Sequence, residues 1–353
     1  MPPAVTLRRI HKSEQSLPKP NADVRATTPY TVGFYLVPNF PMMAFAAAIE
    51  PLRAANRLTG DELFAWRLYS RDGTTVRASN GIEITAHGAV SDGAALDMLL
   101  VCAGTREASC EDDTLHRWLR RIAQRGTAIG SISLGAYVLA CAGLLDGRRC
   151  ALHWESLAAF AEQFPRIRTT TDIFVIDGNR WTCSGGTAGL DMMLQVIAAR
   201  NGQALANDVS EQFIHPRIRA THDPQRMAIQ TRLGVANKKL LAAIGLMEDA
   251  SDETRHVAQI AADVELSPRQ LERLFAKYLR STPGRYYLEL RLERARMHLL
   301  QTTKPILDIA VACGFASASH FSRCYRARYG HKPSEERIAA LVERKPRPRA
   351  RQS

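Results

Sequence analysis

The sequence predicts a two-part chain: an α/β domain with a largely parallel sheet, then an all-α domain made of two helix-turn-helix units. Three observations predict it. Between Tyr30 and Asn201, short apolar runs of strand length alternate with longer helical patterns, as in strand–helix–strand units. Between Val257 and Pro333 one pattern is written twice, at an offset of 49 residues before a turn and 50 after it. A repeat of that kind is one supersecondary unit in two copies. Finally, the net charge of +12 is segregated. Residues 236–353 hold 22 Lys and Arg against 13 Asp and Glu, residues 1–28 hold 5 against 2, and residues 29–235 balance at 20 and 20. Positive charge gathers where the repeat lies, which suits a nucleic-acid footprint better than a uniformly solvated surface.

Taken in order, residues 1–28 are rich in Pro, Lys, Arg, Ser and Thr and read as a disordered basic tail. Residues 31–37 form an apolar strand that stops at Pro38, and 42–58 a helix with Phe45, Ile49 and Leu52 on one face. Strands follow at 64–69 and 97–102, the latter running into Ala103-Gly104-Thr105. After a helix at 115–124, a strand at 127–132 turns at Ser133-Leu134-Gly135 into a helix at 136–142. Residues 173–176 and 181–183 pair as a hairpin about Asp177-Gly178, and a helix at 190–201 closes the domain. Residues 201–235 read as an interdomain linker helix and a basic turn.

Parallel sheets bind ligands at the carboxyl ends of their strands, which singles out two loops. A strand–Ser133–helix elbow exposes one side chain beside a helix start, and Gly104-Thr105 ends the neighbouring strand with free backbone N–H groups. Together they can cradle a carboxylate; the same small residues also suit close helix–sheet packing. Asn39, Phe40 and Glu50 border this crevice by position in the fold. Glu50 can meet a cationic ligand or pair with Arg53. Trp154, Phe40 and Tyr137 can offer cation–π faces or belong to the core.

In the repeat, Val257, Ile260, Ala261 and Val264 recur at helical spacing, Glu265-Leu266 turns the chain, and Ser267 caps a second helix with Pro268 at its first position. Leu271, Leu274, Phe275 and Tyr278 form that helix's buried face, leaving Arg269, Gln270, Glu272 and Arg273 outward. The second copy uses Ile306, Ile309, Ala310 and Cys313, turns at Gly314, and buries Phe321, Cys324 and Tyr325. Ser317, Ser319, His320 and Arg323 then face out. A second helix that presents polar residues outward is the geometry that enters a DNA major groove. A helix near 283–301 sets the spacing of the two. The tail at 341–353 is basic and interrupted by Pro346 and Pro348, so it can touch phosphates nonspecifically or serve solubility.

Seven scattered cysteines form no C-x-x-C pair, so neither a metal site nor a disulfide framework is expected, and reduced thiols in a cytoplasmic protein are. Glu211, His215 and His222 match no metal-ligand spacing and suit interdomain packing. No cofactor is implied. No apolar run is long enough to span a membrane, and the N-terminus lacks a signal-peptide core.

The runs 266–275 and 309–326, with Pro283, Gly330 and Pro333, resemble the DNA-binding domain of the AraC family of transcription regulators over residues 236–340. The resemblance implies contacts to double-stranded promoter DNA at Ser267, Arg269, Gln270, Glu272 and Arg273, and at Ser317, Ala318, Ser319, His320 and Arg323. Ala318 can offer only an apolar contact, for instance to a thymine methyl. The runs 45–56, 133–147, 153–155, 183–193 and 211–217 resemble the PfpI-like branch of the class I glutamine amidotransferase-like superfamily, a flavodoxin-like α/β sandwich at 29–200. The fused order is similar to GlxA-type regulators, and closest to those of arginine, betaine and carnitine catabolism. It implies a small-molecule effector (an amino acid or a quaternary amine), RNA polymerase as a partner, activation of a catabolic operon and a homodimer. Asn39, Phe40, Glu50, Gly104, Thr105, Ser133, Leu134, His153 and Trp154 are its candidate effector residues.

One departure separates sensor from enzyme. Catalytic members carry a cysteine at the elbow, and Ser133 stands there here. A serine needs a neighbouring base to attack at neutral pH, and no histidine follows it directly. The sequence thus predicts a binding pocket with no catalytic residue. The alternative is an amidase or hydratase that uses Ser133 as its nucleophile.

Overall fold

The computed structural model describes residues 28–91, 95–104, 112–248, 255–302 and 304–344. The expected N-terminal tail, the extreme C-terminus and Thr105 lie outside these residues. The α/β half begins with β1 (Tyr30–Leu36), α1 (Met42–Thr59), β2 (Phe64–Ser70), β3 (Thr75–Arg77), β4 (Glu83–Thr85), β5 (Gly88–Ala89) and β6 (Met98–Ala103). It continues through α2 (Asp113–Gln124), β7 (Ala128–Ser133), α3 (Gly135–Cys141), β8 (Arg149–Ala151), a 3-10 turn at Trp154–Ser156 and α4 (Leu157–Gln163). It ends with β9 (Arg168–Thr170), β10 (Phe174–Asp177), β11 (Arg180–Cys183), α5 (Ala188–Asn201) and α6 (Gln203–Gln212).

Seven strands form one sheet in the order β10-β11-β7-β6-β1-β2-β5. All neighbours are parallel except β10 and β11, which make the expected hairpin. Alternation along β1 builds two cores. Val32, Phe34 and Leu36 pack with α1, α5 and α6 on one face, and Tyr35 and Val37 pack with α2, α3 and α4 on the other. Buried on both faces, the central strands read as continuous apolar runs, as parallel sheets require. The small pairs β3–β4 and β8–β9 lie apart from this sheet. Neither they nor α4 are foreseen in the sequence, because three-residue strands carry too little periodicity.

Several expectations need correction. The helix α6 is no linker: Ala206 and Val209 are fully buried in the core shared with α1 and α5. Phe40 is also fully buried, edge-on to Phe45, and Tyr137 is buried against Phe160, so neither ring offers a face to a ligand. Among the described residues five cysteines are free, but Cys141 is disulfide-bonded, against the reduced-thiol expectation.

The helical half comprises α7 (Ile229–Leu233), α8 (Lys238–Glu248), α9 (Val257–Asp263), α10 (Pro268–Leu279), α11 (Pro283–Gln301), α12 (Ile306–Ala312), α13 (Ala318–Tyr329) and α14 (Pro333–Arg344), the last running into the expected tail. Its two copies match to the hydrogen bond. Leu266 N donates to Ala261 O at 2.9 Å, and Phe315 N to Ala310 O at 2.8 Å. Both close a helix through a left-handed residue, Glu265 at φ 55° and Gly314 at φ 76°, as helix C-termini commonly do. Each unit has its own core, one around Ile260, Leu271 and Phe275 and the other around Ile309, Phe321 and Tyr325. Tyr278 is 39% exposed and Cys324 half-buried, not core as expected, because each lies at the edge of its helix's apolar stripe. Among the described residues no helix is long and apolar enough to cross a membrane.

Candidate functional site

The outward face of α10 starts at a capping box. Ser267 Oγ accepts from Gln270 N at 3.3 Å, and Gln270 Oε1 accepts from Ser267 N at 2.8 Å. Ser317 caps α13 likewise, accepting from His320 N at 3.2 Å. The hydroxyls of Ser267 and Ser317 and the Gln270 oxygen are therefore engaged in setting the helix starts. Arg269, Glu272, Arg273, Ser319, His320 and Arg323 are exposed and Ala318 is half-buried. His320 Nε2 lies 3.4 Å from Cys324 Sγ.

Arginines divide into two groups here. Arg291, Arg294 and Arg296 on α11 are engaged within the fold. Arg291 donates to the carbonyls of Cys313 (2.7 Å) and Gly314 and lies over the Phe315 ring, Arg294 donates to Glu248 O, and Arg296 pairs with Glu336. Among the described residues, no acid pairs with Arg269, Arg273 or Arg323. Exposed guanidiniums without acidic partners, near the starts of two equivalent helices, suit a polyanion with acceptor-bearing edges. The sequence does not reveal that Lys239 caps the first turn at Glu265 O (2.9 Å) as Arg291 caps the second at Gly314 O. The helix α11, 19 residues long, spans about 28 Å at 1.5 Å per residue.

At the carboxyl edge of the sheet, four loops converge. Ser133 has φ 56°, the strained left-handed geometry of an elbow. Ala103 stands opposite Ser133 in the ladder, and Leu134 N donates to Ala103 O at 3.0 Å, so Gly104 begins beside the elbow. A Cβ on Gly104 would lie 2.3 Å from Asn39 O, and one on Gly185 would lie 2.8 Å from Ser133 Cβ. Close approach therefore demands glycine at both. Asn39 itself has φ 63°. Beneath the elbow, burial pushes the Cys183 thiol up to about 11, partly offset by N–H groups of Gly185 and Ser133, so this thiol is not a ready nucleophile.

Other expected crevice residues divide. Glu50 pairs with Arg53 through one carboxylate oxygen at 2.7 Å on an exposed face of α1. His153 Nδ1 lies 3.7 Å from Glu155, and among the described residues no base is hydrogen-bonded to Ser133 Oγ. Trp154 is 38% exposed as a residue, and its ring lies beside His153, at 5.6 Å between centroids.

The segment after α6 is bound more tightly than its basic composition suggests. Asp191 on α5 is fully buried and takes Arg219 N at 2.7 Å, Arg219 Nε at 2.9 Å and His215 Nε2 at 2.9 Å. Asp172 takes His222 Nδ1 at 2.9 Å and the Arg149 guanidinium at 2.7 Å. His215 and His222 thus bind carboxylates. Thr221 O accepts from Ile173 N, and Pro224 bridges to Asp172, adding the segment to the sheet's β10 edge.

Comparison with known proteins matches this division. The model described as DJ-1/PfpI family covers residues 41–199, and the one described as helix-turn-helix domain covers residues 260–338. The HTH-type transcriptional regulator CdhR of Pseudomonas aeruginosa is 45% identical over 304 residues, 86% of this chain and 90% of the relative. The HTH-type transcriptional regulator GbdR of the same species is 44% identical over 321 residues, covering 90% and 87%. The HTH-type transcriptional regulator GlxA of Rhizobium meliloti is 38% identical over 307 residues, covering 87% and 95%.

Proposed function

Since the chain belongs to the family of HTH-type transcriptional regulators that join a DJ-1/PfpI domain to an AraC-type DNA-binding domain, we propose how its two halves divide the work. It is a DNA-binding regulator and not an enzyme, as its relatives are. The finer reading is that α10 and α13 enter successive major grooves. Arg269, Glu272 and Arg273 face one stretch of bases, and Ser319, His320 and Arg323 the other. Ser267, Gln270 and Ser317 hold the helix starts, and Ala318 packs at the second. The observation that carries this reading is the pair of equivalent, capped helices whose exposed Arg269, Arg273 and Arg323 have no acidic partner among the described residues.

The α/β half is the sensor, with an effector seated where Ser133, Leu134, Gly104 and Asn39 meet and His153 and Trp154 form the rim. Supporting this is the elbow itself, which keeps strained backbone at Ser133 while, among the described residues, no base is hydrogen-bonded to its hydroxyl. Such strain is commonly kept at ligand sites. A carboxylate fits the small residues of the crevice, and an organic cation fits the Trp154 ring, so the effector class is an amino acid or a betaine-like quaternary amine. Binding shifts the protein toward a state that activates a catabolic operon with RNA polymerase, as a homodimer on two half-sites in the cytoplasm. The domain limits that fit this reading are 29–212 for the sensor and 236–344 for the DNA-binding half.

A thermal-shift series on the full chain with amino acids, glycine betaine and L-carnitine tests the sensor reading. A ligand at a hundred times its dissociation constant stabilises the fold by about 2.7 kcal/mol. Recovery of the ligand intact supports a sensor. Consumption of the ligand, lost in Ser133→Ala, would establish hydrolase or hydratase chemistry instead.

A further inference from the structure

We infer that Arg226 is an internal stand-in for a cationic effector: its guanidinium covers the Trp154 ring and also reaches Glu248 on α8, so a cation that takes the ring frees the helical half. The inference rests on the sensor reading above and names how that site would be coupled to DNA binding.

Of the three aromatic rings the sequence offers as cation–π faces, only Trp154 remains accessible, at 38% exposure against 0% for Phe40 and 1% for Tyr137. The Arg226 guanidinium carbon lies 4.6 Å from the Trp154 ring centroid, well within the range of cation–π attraction. An exposed arginine often samples many positions, but the residue before this one is fixed. Gln225 Nε2 donates to Leu152 O at 3.0 Å and to Asp172 O at 2.8 Å, and Gln225 Oε1 accepts from Trp154 N at 2.8 Å. The backbone that delivers Arg226 is thereby held in register with the backbone of the ring it covers.

At its other end the same guanidinium lies 3.9 Å from Glu248 Oε2. Glu248 is the last described residue of α8, the helix packed against the first helix-turn-helix unit. Its carboxylate also takes Arg232, and its carbonyl takes Arg294 from α11. One side chain therefore touches the Trp154 ring, which the sensor reading puts at the rim of the crevice, and the base of the DNA-binding half. A ligand shifts such an equilibrium only by binding one state better than the other. An organic cation on the face of Trp154 that Arg226 covers cannot share that face with it, so it favours the state in which Arg226 has left. The matching ligand class is a guanidinium or quaternary ammonium compound.

The test uses the full-length protein, with glycine betaine and L-arginine as probes. Probe affinity is measured by calorimetry, and amide hydrogen exchange is followed across residues 229–248, in wild type, Arg226→Gln and Trp154→Leu. Arg226→Gln should bind the effective probe about two- to fivefold tighter, the worth of one exposed cation–π contact. It should also exchange faster at 229–248 without probe, and change no further when probe is added. Trp154→Leu should lose probe binding. Equal affinity and equal exchange in wild type and Arg226→Gln would overturn the inference. If no probe binds any form, the choice of effector fails and exchange alone decides the latch: faster exchange in Arg226→Gln upholds it, and unchanged exchange overturns it.

Discussion

Glu336→Ala removes the shared acceptor at the base of the second unit. Its carboxylate, 8% exposed, accepts from Tyr325 Oη at 2.9 Å and pairs with Arg296 at 3.1 Å, and His331 also reaches it. Tyr325 is fully buried, so the variant strands its hydroxyl, at about 1–3 kcal/mol for an orphaned buried donor. Losing the pair with half-exposed Arg296 adds up to about 1 kcal/mol. The expected total is about 3 kcal/mol, confined to α13 and α14. The chain carries its own control. At an offset of 50 the first unit has Phe275 and Tyr286, in edge-to-face contact at 5.5 Å between centroids. The double variant Tyr325→Phe/Glu336→Tyr should therefore recover most of the loss, because replacing both partners of a buried polar pair is far milder than removing one. Hydrogen exchange of α13 amides in the full chain is the assay, since a two-part protein need not unfold in one step. A change below about 0.5 kcal/mol in Glu336→Ala, well under the orphaned-donor cost, would refute the reasoning, as would a double variant no better than the single one. Burial alone would raise the Glu336 pKa, but hydrogen bonds from His331, Tyr325 and Arg296 outweigh it and hold the carboxyl below the ordinary glutamate value. As pH falls, the unfolded carboxylate takes up its proton first. This stabilisation is thus whole at neutral pH, fades below about pH 4.3 and is gone beneath the folded pKa.

Three further outcomes follow from the geometry. Arg273→Ala or Arg323→Ala should each cost about 1–3 kcal/mol of specific DNA binding with little change in thermal stability, read by titration of a labelled operator at fixed salt. Gly314→Ala should lower the stability of the second unit by about 1–2 kcal/mol, since a Cβ at φ 76° meets the left-handed penalty; the melting temperature measures it. Asp191→Asn should cost about 3 kcal/mol or more, because it leaves Arg219 and His215 facing an uncharged group in a buried site, and denaturant unfolding of the α/β half would show it.

The repeat was the most legible feature, because Ser267, Pro268, Gly314 and Ser317 each punctuate local structure by their own chemistry. The exposed positions at 269, 272, 273, 319, 320 and 323 followed from helical period alone. The elbow at Ser133 was legible for the same local reason, a strand that meets a helix without a spacer. What stayed hidden depends on distant partners. Nothing local to Phe40 says that its ring packs on Phe45 inside the core, or that Glu50 spends its charge on Arg53. The segment at 215–222 read as a basic turn, yet His215 and Arg219 bind Asp191, more than twenty residues away, and just beyond it Gln225 ties down the backbone at Leu152 and Trp154. Such pairings belong to the folded surface and have no periodicity to betray them.

The central claim is that two equivalent helices read two separate stretches of one duplex. Selection of bound sequences from a random duplex library tests it most directly, run on wild type, Arg273→Ala and Arg323→Ala at one salt concentration. The account predicts two enriched blocks with centres about 10 base pairs apart, with each variant relaxing a different block. Enrichment of no sequence, or relaxation of the same bases by both variants, would contradict it.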